Sequence, residues 1–387
     1  MRIFIITATY PTNFNKQAGS FIQDQCKALS EKGHEIIVLA AIGLRWKTWN
    51  KDVCDVIDYY DEDKVKVYRT LFRSIAQSRL PRLCKFSFNN RINKLYMKAI
   101  SDVGKPDILY AHFSFPAGYG AALLSKREDI PLIVLEHHSL YLKPALRKEV
   151  KRMLVNTIDT SKEFICVSKA LKLSIQKITN TKKSISIIPN MLDESFSFFQ
   201  KEKKDSFYFF GAGNLVKGKA FDLLIMAFSM AFKENENVKL VIAGGGPERN
   251  KLAKLISKYG RNHQIELLDR ITRTEMLSNY QNCNCFVLPS RRETFGIVYR
   301  EAMAVGRPVI STRNGGIEEG WKDVYGILTE IDNVSELTHA LQYMRDNIDV
   351  YDGKYISECM LKDYSTKIIT SKINNKLRKV CNFIKEE

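Results

Sequence analysis

At 387 residues the chain is long enough to bury two full hydrophobic cores. Its 45% hydrophobic and 27% charged residues, with 20 Gly and 10 Pro, exclude fibrous, low-complexity and disordered classes. The formal charge of +17 is uneven: residues 1–194 hold 31 Lys/Arg against 19 Asp/Glu, a balance of +12, and the remainder carries +5.

The chain starts with Ile3-Phe4-Ile5-Ile6, too short for a signal-peptide core and without a small-residue cleavage site behind it, so it reads as a first buried strand. No apolar run, including Ile36 to Leu44, reaches the roughly 18 to 20 residues that span a bilayer. From there β-rich runs at 2–8, 34–40, 65–69, 107–111, 131–135, 163–167 and 185–188 alternate with helical patterns at 19–32, 89–101, 116–127, 145–158 and 169–178. This predicts a doubly wound parallel sheet. Asp61-Glu62-Asp63 reads as solvated loop before a strand and not as a metal site. Within Lys64 to Lys105 eleven basic residues meet one acid, Asp102, with Phe72, Phe86, Phe88 and Tyr96 interleaved. Such a segment suits an anionic membrane surface, a nucleic-acid groove or a solvated basic face, and no nucleic-acid-binding signature accompanies it.

Turn chemistry at Ile188 to Asp193 and the polar Gln200 to Asp205 mark a linker. A second set of strands follows at 207–212, 238–243, 264–267, 284–288, 308–311 and 326–328, with helices at 219–232, 248–259, 273–281, 296–305 and 333–345. It predicts a second doubly wound domain. Residues 361–384 place Tyr364, Ile368, Ile373, Leu377, Val380 and Ile384 at helical spacing, predicting one long C-terminal helix with an apolar face. The domains are thus expected at 1–194 and 195–360, with 361–387 packing back toward the first. The eight cysteines are scattered, and Cys283 with Cys285 has no second pair to complete a zinc site, which fits reduced thiols in a cytoplasm.

Parallel sheets bind ligands beyond the carboxyl ends of their strands, so the residues just after strands carry the information. Gly213-Asn214-Leu-Val-Lys217-Gly-Lys219 opens a helix and is either a phosphate cradle or an ordinary glycine turn. Gly244-Gly245-Gly246-Pro247 is likewise a close-approach loop or a plain turn, with Pro247 suited to a first helical turn. Neither G-x-G-x-x-G nor GxxxxGK[ST] is present, which removes most of the case for dinucleotide oxidoreductase and P-loop chemistry. After strand 284–288 a loop carries Glu293 to a helix whose first amides, near Phe295, Gly296, Ile297 and Val298, favour an anion. Glu301 lies two turns along, roughly 12 Å from Glu293, so the two carboxylates would meet different parts of a long ligand.

The run Glu293-Thr-Phe-Gly-Ile-Val-Tyr-Arg-Glu301-Ala-Met-Ala, with Gly306-Arg-Pro308 and Asn314-Gly315-Gly316 behind it, resembles the Glu-x7-Glu signature of the family 4 retaining glycosyltransferases. The similarity extends along most of the chain: Pro11, Gly19 and Gly33-His34 resemble that family's first loop and strand, Asp107 to His112 and Ile130 to Ser139 its next strand ends, and Val167-Ser168 and Ile188-Pro189-Asn190 its "VS" and "IPN" segments. Gly213 to Asp222 and Gly244 to Pro247 resemble "GRLVPEKGFD" and "GxGP".

The resemblance implies the GT-B fold, two Rossmann-like doubly wound domains facing a central cleft. It implies a nucleoside diphosphate sugar donor, UDP or GDP, used without a cofactor or bound metal. By the same resemblance Glu301 would bind ribose, Glu293 the sugar hydroxyls, amides around Gly296 to Val298 the phosphate or sugar, and Lys219 the leaving diphosphate. Gly19, Asn214, Gly244, Gly246, Pro247 and Phe295 join the donor side. His137 would stand beside the reacting sugar, with His112 and His138 as acceptor-side candidates, although His112 also reads as a structural histidine. The sequence departs from the family's pattern at Asn214, where an arginine is usual, and at Met191, Ala220, Glu318 and His138. The expected activity is transfer to a lipid-linked glycan in bacterial surface polysaccharide assembly, at the cytoplasmic face of the cell membrane and without nucleic acid. A non-catalytic nucleotide-sugar binder, or another GT-B enzyme such as an epimerase or phosphorylase, is the alternative.

Overall fold

The computed structural model describes residues 1–44, 57–73, 81–143, 145–202, 205–233 and 235–385. The chain divides into two compact units, one made of Met1–Met191 and the segment from Thr366, the other of Leu192–Ser365.

In the first unit the strands are β1 (Arg2–Thr7), β2 (Glu35–Leu44), β3 (Ile57–Glu62), β4 (Val65–Arg73), β5 (Ile108–His112), β6 (Leu132–Glu136), β7 (Glu163–Cys166) and β8 (Ser186–Ile187). Between them run α1 (Ser20–Glu31), α2 (Pro81–Val103), α3 (Tyr119–Glu128), α4 (Lys148–Thr160) and α5 (Lys169–Thr179). The sheet order is β3-β4-β2-β1-β5-β6-β7-β8, parallel throughout except for the antiparallel β3–β4 pair. Strands covered by helices on both faces need unbroken apolar sequence, and all five residues of β6, Leu-Ile-Val-Leu-Glu, are buried. β3 was not expected. It places Asp61 and Glu62 at a hairpin end opposite Lys66 and Val65, with Asp63 and Lys64 turning at positive φ, so this acidic triplet is strand end and turn and not loop. α2 begins eight residues before the predicted 89.

The second unit holds β9 (Phe207–Ala212), α6 (Phe221–Ala231), β10 (Val238–Ala243), α7 (Arg249–Lys258), β11 (Ile265–Leu268), α8 (Arg273–Asn282), β12 (Cys285–Leu288), α9 (Ile297–Ala304), β13 (Val309–Thr312), β14 (Gly326–Thr329), α10 (Val334–Asp346) and α11 (Gly353–Tyr364). Its parallel sheet runs β11-β10-β9-β12-β13-β14. The order reverses between β9 and β12, and the crevice left there at the carboxyl ends is where such sheets take ligands. In the first sheet the equivalent point lies between β1 and β5.

The last helix, α12 (Thr366–Lys385), packs on α1 in the first unit. The single helix expected over 361–384 is divided at Ser365, because Leu192 bridges to Ser365 and donates its N–H to the Tyr364 carbonyl at 2.8 Å. The buried face of α12 is Ile369, Ile373, Leu377 and Val380, so the predicted face holds at Ile373, Leu377 and Val380, and Ile369 takes the place expected of the exposed Ile368. His34 Nε2 to Asn374 Oδ1 (2.7 Å) and Lys376 to Glu163 (3.1 Å) pin the helix to the unit. Met191, where the family usually has glycine, is buried against Thr370 of the same helix.

Candidate functional site

The loops after β9 and β12 flank the switch point of the second sheet, and they meet through the ion pair of Lys219 Nζ on Glu293 Oε1 and through the Arg291 N–H, which donates to the Gly218 carbonyl at 2.9 Å. Lys219 ends a single 3-10 turn at Lys217–Lys219, before α6. Glu293 is 8% exposed, and its backbone N–H bonds the Asn314 carbonyl at 3.2 Å. Beneath it, Asn314 donates to Tyr299 Oη (3.1 Å) and accepts from the Gly316 N–H (3.0 Å), so the 314–316 loop is fixed under the carboxylate. Glu318, where proline is usual, accepts the Gly315 N–H at 2.6 Å and closes that loop.

Gly296 caps α9 in the left-handed conformation (φ 71°), and a Cβ there would lie 2.4 Å from the Tyr299 ring, so glycine is obligatory. The first amides of the helix, at Ile297 and Val298, have no partner inside it and point positive charge beyond its end. The Phe295 ring is buried under the Arg300 guanidinium at 3.8 Å, so that side chain packs the interior and only its backbone is offered. Arg300 also donates to the Phe295 and Gly316 carbonyls, tying the Glu293 loop to the 314–316 loop. Farther along α9, Glu301 is half-buried and accepts from the Tyr280 hydroxyl at 3.0 Å, which sets the carboxylate's direction. Burial, and then the Glu301 charge, hold the Tyr280 phenol far above its ordinary range, so it acts as a donor.

The remaining second-unit positions sort by what they touch. A Cβ on Gly244 would lie 1.9 Å from the Gly213 carbonyl and one on Gly246 2.2 Å from that of Leu215, so these glycines are demanded by the packing of two loops on each other. Pro247 is exposed and precedes Glu248, the N-cap of α7, so it stands outside the first turn predicted for it. Asn214 receives the Arg270 guanidinium at 3.4 Å, and Arg270 also lies over Gly245. The Arg270 guanidinium thus reaches the very side chain that stands in place of the family's usual arginine. Arg270 is not among the residues the sequence singles out. Arg291 is committed elsewhere, to Asp332 at 2.6 Å and to the Lys217 carbonyl. The signal was available in principle, since Arg270 follows β11 within two residues.

In the first unit the loop after β1 returns to α1 through Gly19, left-handed at φ 77°, where a Cβ would press the Thr9 carbonyl at 2.9 Å. Across the switch point, His112 Nδ1 meets His137 Nε2 at 3.2 Å, and His137 Nδ1 meets Asn190 Oδ1 at 2.8 Å. With Asn190 Oδ1 accepting, the proton of His137 sits on Nδ1. His112 then donates to Nε2, and His112 Nε2 is a buried acceptor without a partner among the described residues. Burial, only partly offset by Asn190, pushes His137 down to about 3, and burial with the neighbouring ring holds His112 well below its usual value, so both are neutral. Both nitrogens of His137 are thus engaged inside the unit. Glu136, fully buried and raised by that burial, accepts N–H groups from Ser114 and His138 at 2.6 Å each and fixes the ends of β5 and β6 together. His138 turns away from the pair and accepts the Leu140 N–H at 2.9 Å.

Residues 18–196 match the family described as Glycosyltransferase Family 4, and residues 193–349 the family described as Glycosyl transferases group 1. An uncharacterized glycosyltransferase of Methanocaldococcus jannaschii is 30% identical over 330 residues, 84% of this chain and 87% of that protein. A putative teichuronic acid biosynthesis glycosyltransferase of Bacillus subtilis is 26% identical over 384 residues, 92% and 93% of the two chains. The solved structure of Anabaena HepE in complex with UDP and glucose superposes with a TM-score of 0.73 at 17% identity, covering 98% of this chain and 99% of that one. The chain belongs to the family 4 glycosyltransferases and has their GT-B fold.

Proposed function

We propose that the protein transfers a sugar from a nucleoside diphosphate sugar to a hydroxyl of a lipid-linked glycan, with retention and without a bound metal, at the inner face of the cell membrane during bacterial surface polysaccharide assembly. The observation that carries this reading is the Lys219–Glu293 pair at the switch point of the second sheet, with Glu301 set behind it by Tyr280. A diphosphate arriving at the α9 amides draws Lys219 to itself and releases the Glu293 carboxylate to sugar hydroxyls. Glu301 takes the ribose hydroxyls. As the bond from the anomeric carbon to the diphosphate oxygen breaks, Lys219, Arg270 and the helix amides stabilise the departing charge. The acceptor oxygen bonds to the anomeric carbon and its proton passes to the departing diphosphate.

The choice of UDP or GDP is supported on the UDP side by the HepE complex, and the polysaccharide setting by the Bacillus subtilis relative. Retention rests on the Glu-x7-Glu pattern. Acceptor recognition is assigned to the first unit, with His112 and His138 as its candidates, while Gly19 and His137 stay on the donor side. A thermal-shift screen with UDP, GDP, ADP and their sugar conjugates tests the donor assignment, since a ligand at about 100 times its Kd adds roughly 2.7 kcal/mol to the native state. A base-selective rise supports it, and the absence of any shift in folded protein refutes it.

A further inference from the structure

We infer that the outer face of the first unit formed by the start of α2 and the start of α4 docks on an anionic lipid surface. The inference names a partner for the membrane-linked acceptor proposed above, and it stands on the first unit alone, independent of donor chemistry.

Single exposed apolar side chains are ordinary, but adjacent ones rimmed by polar residues mark an interaction surface. Phe86 is 74% exposed and Leu83 61%, one turn apart on α2, and Met97 continues the same stripe at 57%. The helix buries its opposite side, with Cys84, Phe88, Ile92, Leu95 and Tyr96 in the core, so the exposed residues are not stray core positions. The two helices are joined at Glu149 of α4, which takes Lys85 at 2.9 Å and Arg82 at 3.7 Å. Glu149 is held below the usual carboxylate range by these partners and keeps its charge. Beside it, exposed Lys148, Lys151 and Arg152 line a shallow groove of about 420 Å³ with Val155, Asn156 and Asp159. Two apolar side chains flanked by a cation-lined groove suit a bilayer interface: the rings and methyls enter the headgroup layer while the cations meet lipid phosphates. A protein partner would instead call for a broader desolvated patch, and the flanking charge favours headgroups. No helix of the described residues is long and apolar enough to cross a membrane, so attachment here is by surface contact.

The full chain is sedimented with vesicles of phosphatidylcholine alone and of phosphatidylcholine with 30% phosphatidylglycerol, a composition chosen for the test at about 0.1 M salt. We expect binding to the anionic vesicles only, weakening with salt. The triple variant Lys148→Glu, Lys151→Glu, Arg152→Glu loses well over 100-fold, since each cation near an anionic surface contributes about fivefold. The pair Leu83→Ser, Phe86→Ser loses about tenfold or more from the apolar contribution. All five positions are exposed, so thermal midpoints and nucleotide-induced shifts stay at wild-type values, which separates this inference from the donor assignment. No binding to anionic vesicles, equal binding to both compositions, or retention of binding by both variants overturns it. So does a lipid-free chain whose self-association, and not its vesicle binding, is lost in the Leu83→Ser, Phe86→Ser pair.

Discussion

The Lys219–Glu293 pair makes the sharpest prediction, because the same carboxylate that a resting enzyme uses to hold Lys219 must let it go when a diphosphate binds. The side chains are 21% and 11% exposed, between the surface and buried regimes. Two unit charges at about 4 Å attract by roughly 4 kcal/mol at an effective dielectric constant of 20, and desolvation of both groups offsets most of that. Glu293→Gln removes the competitor for Lys219 and a negative charge close to the bound phosphates. We expect nucleoside diphosphate to bind that variant about tenfold more tightly, about 1.4 kcal/mol, by titration calorimetry. Turnover falls about 10²- to 10³-fold, the usual loss of one charge-stabilising contact. Lys219→Met weakens nucleotide binding and also strands a nearly buried carboxylate, costing about 3 kcal/mol of stability, and the double variant Lys219→Met, Glu293→Gln recovers most of it. Nucleotide affinity unchanged or weakened in Glu293→Gln, or additive stability losses in the double variant, would refute the reasoning.

Ala220 adopts φ 56° at the N-cap of α6, so Ala220→Gly removes about 1 kcal/mol of backbone strain and raises the thermal midpoint, whereas a lowered midpoint counts against the strain assignment. Arg270→Gln weakens nucleoside diphosphate binding about tenfold with the midpoint unchanged, if its guanidinium meets phosphate; calorimetry on the variant reads this directly. Acid destabilises the first unit through the histidine pair. His137 titrates near 3 when folded and near 6.5 when unfolded, so its stability is complete above about pH 6.5 and falls by about 2 kcal/mol on reaching pH 5, with His112 adding in the same direction. The raised Glu136 acts oppositely, since its burial penalty is relieved as pH falls toward the ordinary carboxylate range. Equal urea-unfolding energies at pH 7.5 and pH 5 in the Glu136→Gln variant, which removes the opposing titration, would contradict the neutral-pair assignment.

The parallel strands were legible because burial on both faces demands unbroken apolar runs such as Phe4-Ile5-Ile6 and Cys285-Phe-Val-Leu288. Glu293 and Glu301 were legible for a different reason, as a local pattern spanning one loop and one helix. What escaped the sequence depends on long-range partners. The β3–β4 hairpin turns on Asp63-Lys64 at positive φ, without the glycine or asparagine that announces such a turn. The break at Ser365 follows from Leu192, far away in the chain, taking the Tyr364 carbonyl. Arg270 reaches Asn214 only because β11 stands beside β10 and β10 beside β9. Likewise, the engagement of both His137 nitrogens requires Asn190 and His112 at once, and no spacing along the chain reveals it.

The most direct test of retaining transfer is proton NMR of the reaction with the nucleotide-sugar that the thermal screen selects and a lipid extract as acceptor, following donor loss and the anomeric coupling of the product. The account predicts release of the nucleoside diphosphate together with a glycoside of the donor's own anomeric configuration, and loss of both in Glu293→Gln. A product of inverted configuration would contradict the retaining mechanism, and a donor that stays intact with every extract while still binding the protein would contradict transfer itself.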